Sequence, residues 1–254
     1  MYNSKIEHLA WDSAFFNRKI GKISEAQTAD LGELLDCARE QNYELVYVFG
    51  ASDYFPEDRI LVQFAGQLVD RKVLYEKRLT NILPISDEIQ KYDGTELTPE
   101  LEQLAYISGA FSRFRMEKYF AEQDFERMYK MWIEKSLTKE MADDVFVALQ
   151  NGRVKGMVTL KINDEIGHIG LISVAPDAQK NGYGRKLLNA CENELLAKNA
   201  SLLAVPTQLD NISACRFYEK CGFTVKSITN IYHFNTNSMN KYEKMLMGGG
   251  ITSS

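Results

Sequence analysis

The sequence has few of the residues that build metal sites and disulfide frameworks. It contains three histidines, widely separated, and four cysteines, Cys37, Cys191, Cys215 and Cys221, without any Cys-x-x-Cys spacing. Structural zinc sites cluster Cys and His ligands at short, regular spacings, so no metal is expected. The simplest interpretation of the cysteines is that all four are free, reduced thiols.

The sequence also lacks long apolar runs and strongly basic stretches. No run approaches the 18 or so apolar residues of a membrane-spanning helix, and the N-terminus has no apolar segment of signal length. We therefore expect no membrane partner and a cytoplasmic location. The net charge is −5, the pI is about 5.4, and no long basic patch alternates with aromatic residues. Nucleic-acid binding is therefore not expected.

The 254 residues suggest one large or two small domains. Residues 81–104 are polar and carry Pro84, Asp93-Gly94 and Pro99, which predicts a link between two domains. On this interpretation residues 1–95 form an N-terminal α/β domain and residues 105–246 form a second domain. Residues 247–254 include three consecutive glycines and are expected to be a flexible tail.

The stretch Ile166–Lys198 predicts a strand, a glycine-rich turn and a helix. The strand carries apolar and β-branched residues and is stopped by Pro176. The helix is indicated by apolar residues at helical spacing, namely Leu187, Leu188, Cys191 and Leu195. The turn between them reads Gln-Lys-Asn-Gly-Tyr-Gly over residues 179–184.

This arrangement favours an anion site. The first N–H groups of a helix have no partner within the helix, and the helix dipole attracts negative charge there. Gly182 and Gly184 would let a phosphate approach the backbone, and Arg185 and Lys186 add positive charge. A Walker loop would need Gly-Lys-Ser/Thr, and a dinucleotide fingerprint would need a glycine at Leu187. The sequence fits neither.

The strands around this turn are predicted from a hairpin signal. Residues 145–162 form two β-rich runs joined by Asn151-Gly152, which favours a type I′ turn. A second turn at Asn163-Asp164 leads into the strand before the glycine turn. A further strand is predicted at Leu202–Val205. The expected order is three antiparallel strands, a helix and another strand.

Two motifs in this order resemble the GCN5-related N-acetyltransferase (GNAT) superfamily. Residues Val174–Gly184 resemble its pyrophosphate loop, a Gln/Arg-x-x-Gly-x-Gly/Ala pattern after a strand ending in Val-x-Pro. Residues Asn211–Phe223 resemble its Asn-x-x-Ala-x-x-Phe-Tyr-x-x-x-Gly-Phe motif, in which Asn211 is predicted to cap a helix. The resemblance implies a mixed α/β (α+β) fold whose mostly antiparallel sheet is flanked by helices. The smaller N-terminal α/β domain could then be a degenerate half of the same fold.

The resemblance also implies acetyl-CoA as cosubstrate and transfer of its acetyl group to a primary amine by direct attack through a tetrahedral intermediate. Tyr218 matches the general acid that protonates the departing thiolate. The implied coenzyme-binding residues are Ile172, Ser173, Val174, Gln179, Asn181, Gly182, Tyr183, Gly184, Arg185, Asn211 and Ala214. A neutral amine must attack, so a base or a water chain has to remove a proton. His168 is a candidate, but the sequence does not identify the base.

Further patches resemble the two-domain TDP-fucosamine acetyltransferases, which act on a TDP-linked amino sugar. They are Leu9–Phe16, Ser112–Phe114, Tyr129–Ser136 and Tyr232–Phe234. Arg113 could then bind a nucleotide phosphate, although an ordinary salt bridge fits the sequence equally well. These enzymes usually carry an acid soon after Ser-Arg-Phe, whereas this chain has Arg115-Met116-Glu117.

Two other functions stay open. One is N-acetylation of a protein, a peptide or another small amine, which the acidic composition favours weakly. The other is a non-catalytic CoA-binding module, against which the retained tyrosine argues. The sequence does not give the oligomeric state, and a homodimer paired through the last strand is compatible with it.

Overall fold

The computed structural model describes residues 6–24, 30–117 and 119–237. The chain divides into two compact units, of which unit 1 comprises residues 1–72 and 228–254 and unit 2 comprises residues 73–227. The prediction that residues 1–95 and 105–246 form separate domains stays a prediction, because the two units are defined by packing alone. The predicted tail, 247–254, lies outside the described residues.

Unit 1 combines residues that precede unit 2 in the sequence with residues that follow it. Its elements are β1 (Glu7–His8), α1 (Ala10–Phe16), β2 (Ile20–Ser24), α2 (Leu31–Glu40), β3 (Leu45–Ala51), α3 (Asp58–Gln63), the start of β4 (Gln67–Arg78) and most of β10 (Thr224–Asn235). The strand order is β1-β2-β3-β10. Strand β2 runs parallel to β3, and β10 runs antiparallel to β3 with Thr229 opposite Ala51 and Asn235 opposite Leu45.

The core of unit 1 packs α2 and α3 against these strands. Helix α2 buries Leu31, Leu34, Leu35 and Ala38, whose spacing of three to four residues places them on one face. They belong to one cluster with Val46 and Val48 of β3 and with Tyr232 and Phe234 of β10. Burying each leucine, valine or phenylalanine of this cluster contributes about 1.5–3 kcal/mol. The last strand of the chain therefore completes the core that the first seventy residues begin.

Unit 2 contains the sheet that carries the predicted site. Its elements are the rest of β4, β5 (Ile89–Lys91), α4 (Pro99–Ser108), α5 (Arg113–Met116), α6 (Glu122–Leu137), β6 (Asp144–Gln150), β7 (Arg153–Asn163), β8 (Ile166–Val174), a 3-10 turn (Pro176–Ala178), α7 (Tyr183–Ala197), β9 (Leu202–Gln208) and α8 (Ile212–Lys220). The strand order is β4-β9-β8-β7-β6-β5. Strands β5 to β8 pair antiparallel and β8 pairs parallel to β9. The predicted fold, a mostly antiparallel mixed sheet flanked by helices, is confirmed.

The meander β6–β7–β8 forms as the turn residues predict. Asn151 and Gly152 both adopt positive φ angles, 52° and 75°, as a type I′ turn requires. The second turn has Asp164 at φ 52°. None of the helices within the described ranges combines the length and apolar character needed to cross a bilayer. The four cysteines form no disulfide.

The stretch predicted as a link between two domains, residues 81–104, contains regular structure. Strand β5 lies within it and pairs with β6, placing Ile89 opposite Ala148. Helix α4 begins at Pro99, and the Thr98 hydroxyl accepts a hydrogen bond from the Leu101 amide. Threonine as N-cap followed by proline is a normal helix start, so these two residues were a sequence signal for α4.

Candidate active site

Strands β8 and β9 separate in the middle of unit 2. Their parallel pairing joins Ile166 to Leu202 and ends where His168 lies opposite Ala204. Beyond this point β8 continues to Val174 and β9 continues to Gln208, with no further pairing between these described residues. The two strand ends therefore leave a gap in the sheet, bordered by backbone groups of both strands.

The backbone of β8 presents specific amides to this gap. The Leu171 amide donates to the Thr159 hydroxyl (2.8 Å), and the Ala175 amide donates to the Lys155 carbonyl (2.7 Å), so both point toward β7. Successive amides of a strand point to opposite sides, so those of Ile172 and Val174 point away from β7. These two amides therefore face the gap, where they can donate hydrogen bonds to the carbonyl oxygen of a bound ligand. The Ser173 hydroxyl instead donates to the Leu104 carbonyl of α4 (2.7 Å).

The glycine turn precedes helix α7 at the end of β8. Gly182 is the N-cap residue with φ 79°, a left-handed conformation that favours glycine. No side chain caps α7, and a Cβ atom added to Gly182 would meet no atom within 4 Å. The first turn of α7 thus combines open space with uncapped N–H groups, which suits an anion.

Side chains around the turn hold it in shape. The Gln179 amide nitrogen donates to the Val174 carbonyl and that of Asn181 donates to the Ala178 carbonyl, each at 3.3 Å. The buried Tyr183 donates its hydroxyl to Glu88 (3.3 Å). A coenzyme would therefore meet Tyr183 through its backbone.

Helix α7 begins directly beside α8. A Cβ atom on Gly184 would lie 3.1 Å from the Phe217 ring, so the absent side chain permits this close packing. The Arg185 guanidinium donates to the Lys220 carbonyl at the end of α8 (2.5 Å). Arg185 therefore joins the two helices as well as adding charge near the turn.

Helix α8 positions the second motif. The Asn211 side chain accepts a hydrogen bond from the Ala214 amide (3.1 Å), which confirms the predicted cap. Ala214 is half-buried, and the helix buries Cys215 and Tyr218. The cap fixes where the helix begins and hence where Tyr218 lies, two turns later.

Tyr218 is enclosed by aromatic rings. Only 4% of its surface is exposed, and its ring centroid lies 5.7 Å from that of Tyr75 and 5.8 Å from that of Phe223. Burial raises the pKa of the Tyr218 hydroxyl above its ordinary value near 10, and nearby Cys221 and Cys215 add to this. The hydroxyl is therefore protonated at neutral pH.

The two tentative substrate residues lie elsewhere in unit 2. His168 is half-buried and lies between Lys161 of β7 and Ala204 of β9, where the gap opens. Arg113 starts the short helix α5, and its guanidinium carbon lies 4.7 Å from the Phe114 ring centroid. Their contact with an acceptor stays a prediction. No group of three potential metal ligands occurs within residues 6–24, 30–117 and 119–237.

The sequence interpretation missed the irregularity in β8. The register shifts between Val158 opposite Ile172 and Leu160 opposite Ile169, so two residues of β8 face one residue of β7. The sequence signal was Gly170, because a glycine inside a strand often marks a bulge. Its partner, Thr159, has no signal of its own.

The family model for the acetyltransferase (GNAT) family matches residues 109–223, which include β6 to α8 and both motifs. Over these residues the chain is similar to the GNAT family. The match and the named acetyltransferase relatives together support an acetyl-CoA-dependent acyltransferase.

The GNAT relatives differ in how much of the chain they match. A dTDP-fucosamine acetyltransferase of Escherichia coli is 28% identical over 229 residues, which are 88% of this chain and 95% of that protein. A ribosomal protein bS18-alanine N-acetyltransferase of Escherichia coli is 27% identical over 108 residues, 42% of this chain and 73% of the relative. A GCN5-related N-acetyltransferase structure from Sphaerobacter thermophilus matches 85% of this chain and 73% of its own, with 15% identity and a TM-score of 0.55.

Proposed function

We propose that the acceptor is the amino group of a nucleotide-linked amino sugar. The observation that carries this proposal is the extent of the similarity to the dTDP-fucosamine acetyltransferase, which takes in 88% of this chain and 95% of the relative. The match therefore includes residues outside the family model at 109–223, where an acceptor-specific part would lie. The proposal also places the enzyme in the cytoplasm, where acetyl-CoA is made available.

The proposed reaction uses the chain's own groups at three places. The N–H groups of α7's first turn, with Gly182 and Gly184, bind the diphosphate of acetyl-CoA. The amide of Ile172, which points into the gap, donates to the thioester carbonyl and to the oxyanion that forms when the amine attacks. Tyr218 gives its proton to the departing thiolate.

Attack by the amine forms the carbon–nitrogen bond, and collapse of the tetrahedral intermediate breaks the carbon–sulfur bond. The products are the acetylated amine and coenzyme A. The amine must lose one proton, for which His168 or a water chain is the candidate acceptor. The proposal leaves this base unassigned, because no contact in the site selects one.

A second candidate is N-acetylation of a peptide α-amine. It is favoured by the similarity to the bS18-alanine N-acetyltransferase, which includes 108 residues of this chain. That match leaves more than half of the chain unaccounted for, so the sugar acceptor is preferred.

An acceptor panel tests these alternatives. Purified protein with acetyl-CoA is offered a TDP-linked 4-amino-4,6-dideoxy sugar, a polyamine and a peptide with N-terminal alanine, while release of free thiol is followed. We expect the highest kcat/KM with the TDP-linked sugar. A preference for the peptide would support the second candidate. Binding of acetyl-CoA without turnover of any amine would favour a non-catalytic module.

A further inference from the structure

We infer that Thr159 is a positioning residue, whose hydroxyl directs the Ile172 amide into the gap between β8 and β9. The inference rests on the proposed function of that amide. Thr159 lies on β7 and is 1% exposed. Its hydroxyl oxygen accepts the Leu171 amide at 2.8 Å, a buried contact between a side chain and the neighbouring strand.

This hydrogen bond lies inside the β8 bulge. Thr159 is the single residue between the pairs Val158–Ile172 and Leu160–Ile169, so it faces both Gly170 and Leu171. The bulge displaces the Leu171 amide from its regular place in the ladder. The Thr159 hydroxyl supplies the acceptor that this amide would otherwise lack, which matters because a buried unpaired N–H is costly.

Because of the bulge, residues of β8 that would share one face of a regular strand lie on opposite faces of the sheet. A Cβ atom on Gly167 would meet Leu195 of α7, whereas the Ser173 side chain reaches α4. In a regular strand residues 167 and 173 would share one face, because side chains alternate. One extra residue between them therefore turns the strand, and the amide that follows Leu171 is the one that points into the gap.

Gly170 fits this arrangement. A Cβ atom at position 170 would lie 2.9 Å from the Thr159 hydroxyl oxygen and 3.4 Å from Trp132 Nε1. A side chain there would push the hydroxyl away from the Leu171 amide. Thr159 and Gly170 thus form a matched pair, which gives two independent substitutions that disturb one hydrogen bond.

The test compares the dissociation constants of coenzyme A and acetyl-CoA, measured by calorimetry on the full-length protein. These ligands share the diphosphate contacts and differ at the acetyl carbonyl, which the Ile172 amide would contact. In Thr159→Val the hydroxyl is lost while the shape is kept. We expect the preference for acetyl-CoA to fall about fivefold, as for one hydrogen bond, and kcat to fall by up to about 10²-fold.

Thr159→Ser keeps the hydroxyl and should keep the preference near that of the wild type. Gly170→Ala keeps the Thr159 hydroxyl but places a methyl group against it. This variant should lower the preference for acetyl-CoA over coenzyme A as Thr159→Val does. It also tests the inference if the valine variant does not fold. Lower melting temperature with an unchanged preference in the folded variants would overturn the inference, because it would make Thr159 purely structural. Failure of the wild type to bind acetyl-CoA would overturn the proposed function as well.

Discussion

The surroundings of Tyr218 keep its hydroxyl protonated, as the acid role proposed for it requires. Aromatic rings enclose it, and burial keeps it protonated by raising its pKa. A thiolate formed in the same enclosed place would also have its proton affinity raised by burial. Burial therefore raises the pKa of the proton donor and the pKa of the proton acceptor together. The difference between the two pKa values changes less than either value does, so proton transfer stays feasible.

Replacing Tyr218 by phenylalanine should lower kcat by about 10²–10⁴-fold. The ring and its packing remain, so the dissociation constant of acetyl-CoA should stay within about twofold of the wild type, well below the effect of one hydrogen bond. Steady-state kinetics and calorimetry measure the two quantities. Tyr92→Phe is the matched control, since it removes an exposed hydroxyl that donates to the Glu96 carbonyl. Equal turnover by Tyr218→Phe and the control would exclude Tyr218 as the acid.

At the scale of elements, the start of α7 and the β6–β7 turn offer a natural comparison. Gly182 and Gly152 have nearly the same positive φ angle, 79° and 75°, and a Cβ atom on either would meet nothing within 4 Å. Alanine at either position should therefore cost a similar backbone strain, about 1–2 kcal/mol. Only Gly182 lies where a diphosphate is proposed to bind.

We expect Gly182→Ala and Gly152→Ala to lower the free energy of unfolding by similar amounts in urea titrations. Only Gly182→Ala should weaken acetyl-CoA binding, by about tenfold or more, because the methyl group and the strained turn disturb contacts to phosphate oxygens. Calorimetry on both variants provides the measurement. If both variants bound acetyl-CoA equally well, the diphosphate would have to lie elsewhere.

Elements set by local sequence were the predictable part of the fold. Asn151-Gly152 specifies its turn by itself, and Asn211 specifies its cap, so both were confirmed. The bulge at Gly170 depends on Thr159, eleven residues away on the neighbouring strand, and no local pattern encodes that contact. Strand β5 was missed for the same reason, since three residues become a strand only through pairing with β6.

The candidate site was likewise predictable where it depends on local sequence and unpredictable where it depends on contacts between distant residues. The sequence indicated the glycine turn and the helix that bears Tyr218. It did not indicate that Ser173 and Arg185 bond to the protein itself, at Leu104 and Lys220. Those contacts join elements far apart in the chain, so only the packed structure reveals them.

At the scale of the whole molecule, buried tyrosines in both units link stability to alkaline pH. Burial raises the pKa of Tyr54 in unit 1 to about 12, with Tyr232 adding to it, and also raises that of Tyr218 in unit 2. Above pH about 10 the unfolded chain loses these protons while the folded chain keeps them. Folded protein then binds more protons than unfolded protein, so stability falls as pH rises.

Urea midpoints should therefore be steady below pH about 10 and decline above it. Tyr54→Phe and Tyr218→Phe should each make this decline shallower, since each removes one group that loses its proton at a lower pH in the unfolded chain than in the folded chain. Tyr92→Phe, which removes a hydroxyl that donates to the Glu96 carbonyl, serves again as the control. A decline of equal slope in all three variants would show that other groups govern alkaline unfolding.

The route of the chain through unit 1 bears on how the protein is made. Strand β10 supplies Tyr232 and Phe234 to a core otherwise built from the first seventy residues. A ribosome releases that strand only after all of unit 2 has been synthesised. During translation the first seventy residues therefore have an incomplete apolar core until β10 is synthesised. All strands of the unit 2 sheet are synthesised before that point.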